Sequence, residues 1–235
     1  MNTNNKFKSL YINAPKENWV VDRFRKEWVT YNSQISRSIY SPKVKIIWII
    51  APWTWQKLNL NTLKKKIVIC TIHHIDEDKF GPKESSDFYE RDKIVTAYHA
   101  ISKNTKLQLE KLTEKKIFTM PFWVNQNFFY SISDKDALRE KYSINNDAHI
   151  IGSFQRDTEG SDLKSPKLSK GPDRFISILD EMYKKDNKLE VLLTGKRRQY
   201  LISELNKRKI KFHYFEMVNF EILNELYNIV DLCLV

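Results

Sequence analysis

The feature that most constrains the fold is an alternation. Short apolar runs rich in β-branched residues are separated, almost throughout, by stretches whose apolar residues recur at helical spacing. In the first half the runs are "VKIIWII" (44–50), "KKIVICTI" (65–72), "KIVTAYHA" (93–100) and "KKIFTM" (115–120), after a strand candidate over Lys8–Ile12. In the second half they are "HIIGSF", "LEVLLTG", "IKFHYF" and "VDLCLV". Helical patterns lie between them. Asn18–Ile35 carries Trp19, Val20, Phe24, Trp28 and Val29, and "SKNTKLQLEKL" has Ser102 as its N-cap. "PDRFISILDEMYKK" sets Phe175, Ile176, Leu179, Met182 and Tyr183 on one stripe, and "QYLISELNKR" and "FEILNELYNI" follow. Continuous apolar runs suit strands buried on both faces of a parallel sheet. Strand–helix alternation then predicts an α/β fold with right-handed crossovers, whose ligands bind at the carboxyl ends of the strands.

The pattern breaks once. "PFWVNQNFFYSISDKDALREKYSINNDA" is polar and holds only a short helical stretch. It predicts two Rossmann-like domains facing a cleft, residues 1–130 and 131–235. The last apolar run stops at Val235 without turn or cap, which predicts an incomplete second domain and a truncated chain.

The formal charge is +11, which points to an anionic partner. Nucleic acid, an acidic lipid surface and a phosphorylated small molecule all qualify, and a solvated Lys-rich surface accounts for the charge equally well. Lys and Arg are spread along the chain among Asp and Glu with no recognition motif, so no nucleic-acid partner is expected. Cys70 and Cys233 sit in apolar runs and read as buried core thiols of a reducing compartment. The amino terminus lacks the apolar stretch of a signal peptide, and "VKIIWIIAPWTW" is too short to span a bilayer. A cytoplasmic protein is expected. Basic, Trp-rich stretches such as "WVVDRFRKEW" leave peripheral contact with the inner face of the membrane open, although core tryptophans explain them more simply.

Five glycines cannot spell a dinucleotide fingerprint, "TGKRR" is not a phosphate-binding P-loop, and no nucleophile elbow occurs. Adjacent His73 and His74 would face opposite sides of a strand, so no metal is expected. What remains is "IGSFQRDTEGSDLKSPKLSKGPDRFI" (151–176), a long charged loop between a strand and a helix. It delivers Gln155 and Arg156 to a carboxyl edge, and Lys170 precedes a helix opened by Gly171–Pro172. Two cations and a helix N-terminus can hold a diphosphate; a solvated basic loop is the alternative. Thr194 and Gly195 reach the same edge, as ligand contacts or as an ordinary turn, and Glu216 follows as a base or ribose acceptor or as a helix N-terminal charge. His73, at the end of "VICTIH", can bond a sugar hydroxyl, act as acid or base, or be a satisfied core histidine.

These residues, in this order, resemble the GT-B glycosyltransferases, and more narrowly the retaining family 4, or glycosyltransferase group 1. The likeness covers most of the chain from Ile46 onward. "GSFQR", "SKGPDRFI", "VLLTG", "YFE" and "LYNIVDLCLV" are similar to the family's carboxyl-terminal domain. "TIHHI" resembles its T-x-H strand end, "HAISKNTKLQL" its following helix, and "MPFWVNQNFF" its interdomain linker, with Trp123 in place of glycine. The resemblance implies a sugar moved from a nucleotide-sugar to an acceptor hydroxyl in surface glycan or glycolipid assembly. Arg156 and Lys170 would bind the donor diphosphate. Gly152, Thr194, Gly195 and Glu216 would line the nucleotide pocket, and His73, with His74 beside it, would lie at the transferred sugar. No cofactor is implied beyond the nucleotide-sugar co-substrate, and the acceptor is a glycan or a lipid-linked sugar. Two departures stand out. "YINAPKENW" lacks the family's Gly-rich loop, and the E-x7-E segment is not reached before Val235. A sugar-nucleotide-binding fragment without turnover is the alternative; a basic nucleic-acid-binding protein is a more distant one.

Overall fold

The computed structural model describes residues 9–17 and 20–235. The described residues form two units, one ending at Trp123 and the other running Val124–Val235. The first contains β1 (Leu10–Ile12), α1 (Val20–Tyr31), β2 (Ser36–Arg37), β3 (Ile46–Ile49), α2 (Leu60–Leu63), β4 (Ile67–Ile72), α3 (Pro82–Asp92), β5 (Ala97–Ala100), α4 (Lys103–Glu110) and β6 (Lys116–Thr119). The expected first strand thus begins at Leu10, and Lys8, Asn18 and Trp19 lie outside the described residues. The strands pair in the order β2-β1-β3-β4-β5-β6, all parallel.

Side chains of a strand alternate between faces, and both faces here are covered. Ile47 and Ile49 pack on one side with Val68, Cys70, Phe88 and Leu109. Trp48 and Ile50 pack on the other with Leu10 and Ile12, beneath Phe24, Trp28, Phe122 and Trp123. Among the described residues Trp48 and Trp55 are buried, Trp28 and Trp123 are half-buried against this cluster, and Trp53 is 45% exposed. Trp123 turns back onto α1, where its indole N–H donates to Glu27 Oε2 at 2.7 Å. Burial pushes the Cys70 thiol up to about 12.

The second unit contains α5 (Lys135–Lys141), β7 (His149–Ser153), β8 (Thr158–Glu159), β9 (Ser165–Pro166), α6 (Pro172–Tyr183), β10 (Leu189–Thr194), α7 (Gln199–Arg208), β11 (Phe212–Phe215), α8 (Phe220–Ile229) and β12 (Leu232–Cys233). Its main sheet is parallel, in the order β11-β10-β7-β12. Ile151, Val191 and Leu193 face α6 and α7 through Phe175, Ile176, Leu179, Leu201 and Leu205, so the stripe read from the sequence is the packed face of α6. Ile150 and Leu192 face Leu138, Leu226 and Ile229 on the other side. Cys233 lies on the edge strand and is half-buried rather than core.

The long charged loop is not structureless. β8 and β9 pair as an antiparallel ribbon, Thr158 with Pro166 and Glu159 with Ser165, and a 3-10 turn at Leu168–Lys170 leads into α6. Nothing in its composition announced a hairpin, because two-residue strands carry no readable period.

Gly152 lies inside β7, where a Cβ would meet Val230 Cγ1 at 2.9 Å. Gly152→Ala is expected to destabilise the second unit by about 1–3 kcal/mol through overpacking. Urea unfolding checks this, and Gly152→Ala with Val230→Ala should cost less than the sum of the two single changes.

Candidate functional site

In the second unit the chain steps outward from β7 to β10 to β11, then crosses back to β12 on the far side of β7. The loops after β7 and β12 therefore part company at a topological switch point, where open parallel sheets bind ligands. A pocket of about 630 Å³ opens there, lined by Gln155, Lys170, Gly171 and Arg174, with Phe175, Ile178 and Leu234 as its apolar wall. That volume lies within the range of small-molecule sites.

Local chemistry builds the pocket. Gly171 has φ +61°, a left-handed turn that suits glycine and joins the 3-10 turn to α6. Pro172 occupies the first helical position, where no N–H is needed. The first helical bond runs from Phe175 N–H to Gly171 O, so the Asp173 and Arg174 amides precede it and point out of the helix end. Gln155 Nε2 donates to Lys170 O at 3.0 Å and holds the turn against β7. Lys170 and Arg174 are exposed, and their side chains make no hydrogen bond or ion pair among the described residues. No acidic side chain lines the pocket among the described residues. Free amides, the positive end of α6 and two unpaired cations are an arrangement whose chemistry suits an anion.

The expected residues fall in different places. Lys170 lines the pocket; Arg156 is exposed, unpaired among the described residues, and stands outside the lining. Gly152 is buried, its missing side chain replaced by Val230, and this explains the glycine without a ligand. Thr194 is 3% exposed, and its hydroxyl donates to Phe215 O at 2.7 Å, fastening β10 to β11. Gly195 takes φ +92°, with open space where a Cβ would stand. Glu216 is exposed at the end of β11. Gly152, Thr194, Gly195 and Glu216 do not join the pocket lining.

The sequence reading overlooked Arg174, although its place three residues after Gly171 puts it on the first turn of α6. It also missed a buried pair. Arg198, just before α7, has 0% exposure, and its Nε lies 3.1 Å from Asp157 Oδ2. Its Nη2 donates to Ser153 O at 2.7 Å and to Ser153 Oγ at 2.8 Å. Burial raises the Asp157 carboxyl against the opposing pull of Arg198, and lowers the Arg198 guanidinium. No local pattern marks two residues 41 positions apart as partners.

In the first unit the switch point lies between β1 and β3. Asn13 locks it: its Nδ2 donates to Thr54 Oγ1 at 2.6 Å, and its Oδ1 accepts from Ile50 N–H at 3.0 Å. His73 sits beside this lock, its Nε2 2.9 Å from Ile50 O. A carbonyl only accepts, so Nε2 carries the proton and Nδ1 is left as a bare acceptor. The ring lies 5.6 Å from Trp53 and 5.5 Å from Phe122. Burial lowers its pKa, so the imidazole is neutral at pH 7. His74 is exposed. His99 belongs to a closed chain: Trp48 Nε1–H donates to Thr71 Oγ1 (2.8 Å), Thr71 Oγ1–H to His99 Nδ1 (3.0 Å), and His99 Nε2–H to Met120 O (2.7 Å). No free ring nitrogen remains on His99.

No protein-family model matches the chain, and no curated protein matches its sequence. Solved structures match its fold. The HepE protein of Anabaena, solved with UDP and glucose, superposes with a TM-score of 0.64 at 10% identity, over 95% of this chain and 72% of that one. A glycosyltransferase of Rickettsia africae superposes at 0.52 and 16% identity, over 94% of this chain and 57% of that one. TarM superposes at 0.51 and 16% identity, over 84% and 37%. The fold is α/β of the GT-B type, with two Rossmann-like parallel sheets.

The His73 bond to Ile50 O fixes an expected spectrum. Long-range ¹H–¹⁵N NMR at pH 7 should show the Nε2–H tautomer, with protonation of Nδ1 only well below the usual histidine value of about 6.5. A ring already half protonated at pH 6.5 would contradict the assignment.

Proposed function

We propose that the chain is a glycosyltransferase that binds a nucleotide-sugar by its diphosphate at the N-terminus of α6. The observation that carries this reading is the pocket at the β7/β12 switch point, where Lys170, Arg174 and the end of α6 converge without an acidic side chain in the lining. In the transfer, the bond from the sugar C1 to the diphosphate breaks as one to the acceptor oxygen forms, and the acceptor hydroxyl's proton passes to the departing diphosphate. Negative charge builds on the departing diphosphate. On this reading Lys170, Arg174 and the α6 amides neutralise that charge, and Arg156, exposed on the adjoining loop outside the pocket lining, adds to the positive field. Gly195, open at the end of β10, and Glu216 serve the nucleoside. In the first unit, taken by itself, neutral His73 has Nδ1 open to accept from a hydroxyl.

The likeness to HepE, a protein solved with UDP-glucose, supports a uridine donor. Retention at the anomeric carbon and membership of family 4 rest on the motif order in the sequence. The acceptor is a glycan or lipid-linked sugar, reached in the cytoplasm at the inner face of the membrane. Among the described residues no helix is long and apolar enough to cross a membrane.

A ligand that binds only the folded state raises its melting temperature by mass action. UDP and UDP-sugars should therefore raise the midpoint, and more weakly as salt is added. Lys170→Ala and Arg174→Ala should each weaken UDP on the order of 10–100-fold, the worth of a charge-assisted bond of about 1.5–3 kcal/mol. Unchanged circular dichroism would show both variants folded. A midpoint indifferent to UDP, GDP and ADP alike would sink the proposal.

A further inference from the structure

Arg198 is completely buried and is not part of the pocket lining. Its guanidinium joins the end of β7, through Ser153, to Asp157. Asp157 is a hub. Its backbone N–H and that of Thr158 donate to Arg197 O at 3.2 and 3.1 Å, and its carbonyl accepts from Lys167 N–H at 2.7 Å. Its Oδ1 accepts from Thr158 Oγ1–H at 2.7 Å, and Thr158 Oγ1 in turn accepts from Tyr200 N–H at 2.8 Å. One short segment thus binds the β8–β9 ribbon to the start of α7, while Gln155 holds Lys170.

Arg156 is exposed while Asp157 is 2% exposed. Asp157 is also the only acid within two residues of Arg156. We infer that Arg198 is a positioning residue for the anion site: by holding the Asp157 carboxylate inward and neutralised, it keeps Arg156 and the pocket free for a phosphate-bearing ligand. This rests on the diphosphate reading above. Without Arg198 the carboxylate has two outlets. It can turn outward onto Arg156, or it can stay as an uncompensated negative charge one residue from Arg156. Both weaken anion binding. Losing the carboxylate instead leaves a cation, which does not.

The test is UDP affinity by calorimetry on the whole chain, with circular dichroism to establish folding. Arg198→Met is expected to weaken UDP on the order of tenfold, as one unit charge close to the site would. Asp157→Asn, Arg198→Lys and the double variant Asp157→Asn/Arg198→Met should stay within about threefold of the unmodified chain, well under that charge effect. A scaffold role would make the two single neutralisations equally harmful, so equal losses in Asp157→Asn and Arg198→Met overturn the inference. A folded Arg198→Met with unchanged affinity also overturns it. If Arg198→Met does not fold, Asp157→Asn decides alone: retained affinity supports the inference and tenfold loss ends it. Lys170→Ala and Arg174→Ala separate the two levels. If they weaken UDP while Arg198→Met does not, only this inference falls; if the unmodified chain does not bind UDP, the diphosphate reading falls and takes this one with it.

Discussion

Strands buried on both faces have no room for chemistry along their length. Ile150, Ile151, Val191, Leu192 and Leu193 are each 3% exposed or less, and a polar group on such a strand is tied up by a partner, as Glu190 is by Lys211 and His213 and Thr71 by Trp48 and His99. All functional variety is thereby displaced to the strand ends, and in a parallel sheet all carboxyl ends lie on one edge. The strand order then selects one place on that edge, because only where the chain reverses its direction of travel do adjacent loops leave a gap. The pocket beside β7 and β12 follows from burial first and topology second; the identities of Lys170 and Arg174 come last.

That hierarchy explains what could be read from the sequence. Two-sided burial makes long apolar runs, and these are visible in "VKIIWII" and "LEVLLTG". Helix stripes and the Gly171–Pro172 entry to α6 were visible for similar reasons, since they are local. The position of Lys170 just before α6 was legible because Gly171–Pro172 is a local helix-start signal. Thr194 and Gly152 were read by position alone, and their side-chain environments were not local. Thr194 faces a carbonyl on the neighbouring strand, and Gly152 faces a valine 78 residues on. α3 escaped notice because most of its surface is polar: among its residues only Phe88 and Arg91 are buried. The β8–β9 ribbon escaped because its register is fixed by partners elsewhere in the chain, not by its own four residues.

The Asp157–Arg198 pair is the costliest of these non-local features. Breaking a buried ion pair by removing one partner typically costs about 3–5 kcal/mol, whereas replacing both by apolar residues is often neutral. Stability is therefore a weak reason for the pair, more so because Arg198 Nη1 is buried with no hydrogen-bond partner. A core built for stability alone would fill this space with leucine.

A loop that must present cations faces a different requirement. Its backbone has to be fixed, and side-chain carboxylates are effective at this because they accept several bonds at once. Each such carboxylate also threatens to neutralise the cations beside it. Asp162 meets the same problem locally, its oxygens taken up by Lys164 N–H and Ser165 Oγ–H within the ribbon. Asp157 sits next to Arg156, too close for a local solution. A buried guanidinium cancels the charge while leaving the second carboxylate oxygen free to organise α7. If the pocket takes the proposed diphosphate, the expense of burying an arginine is set by the need to keep an anchoring acid away from the cations that would bind it.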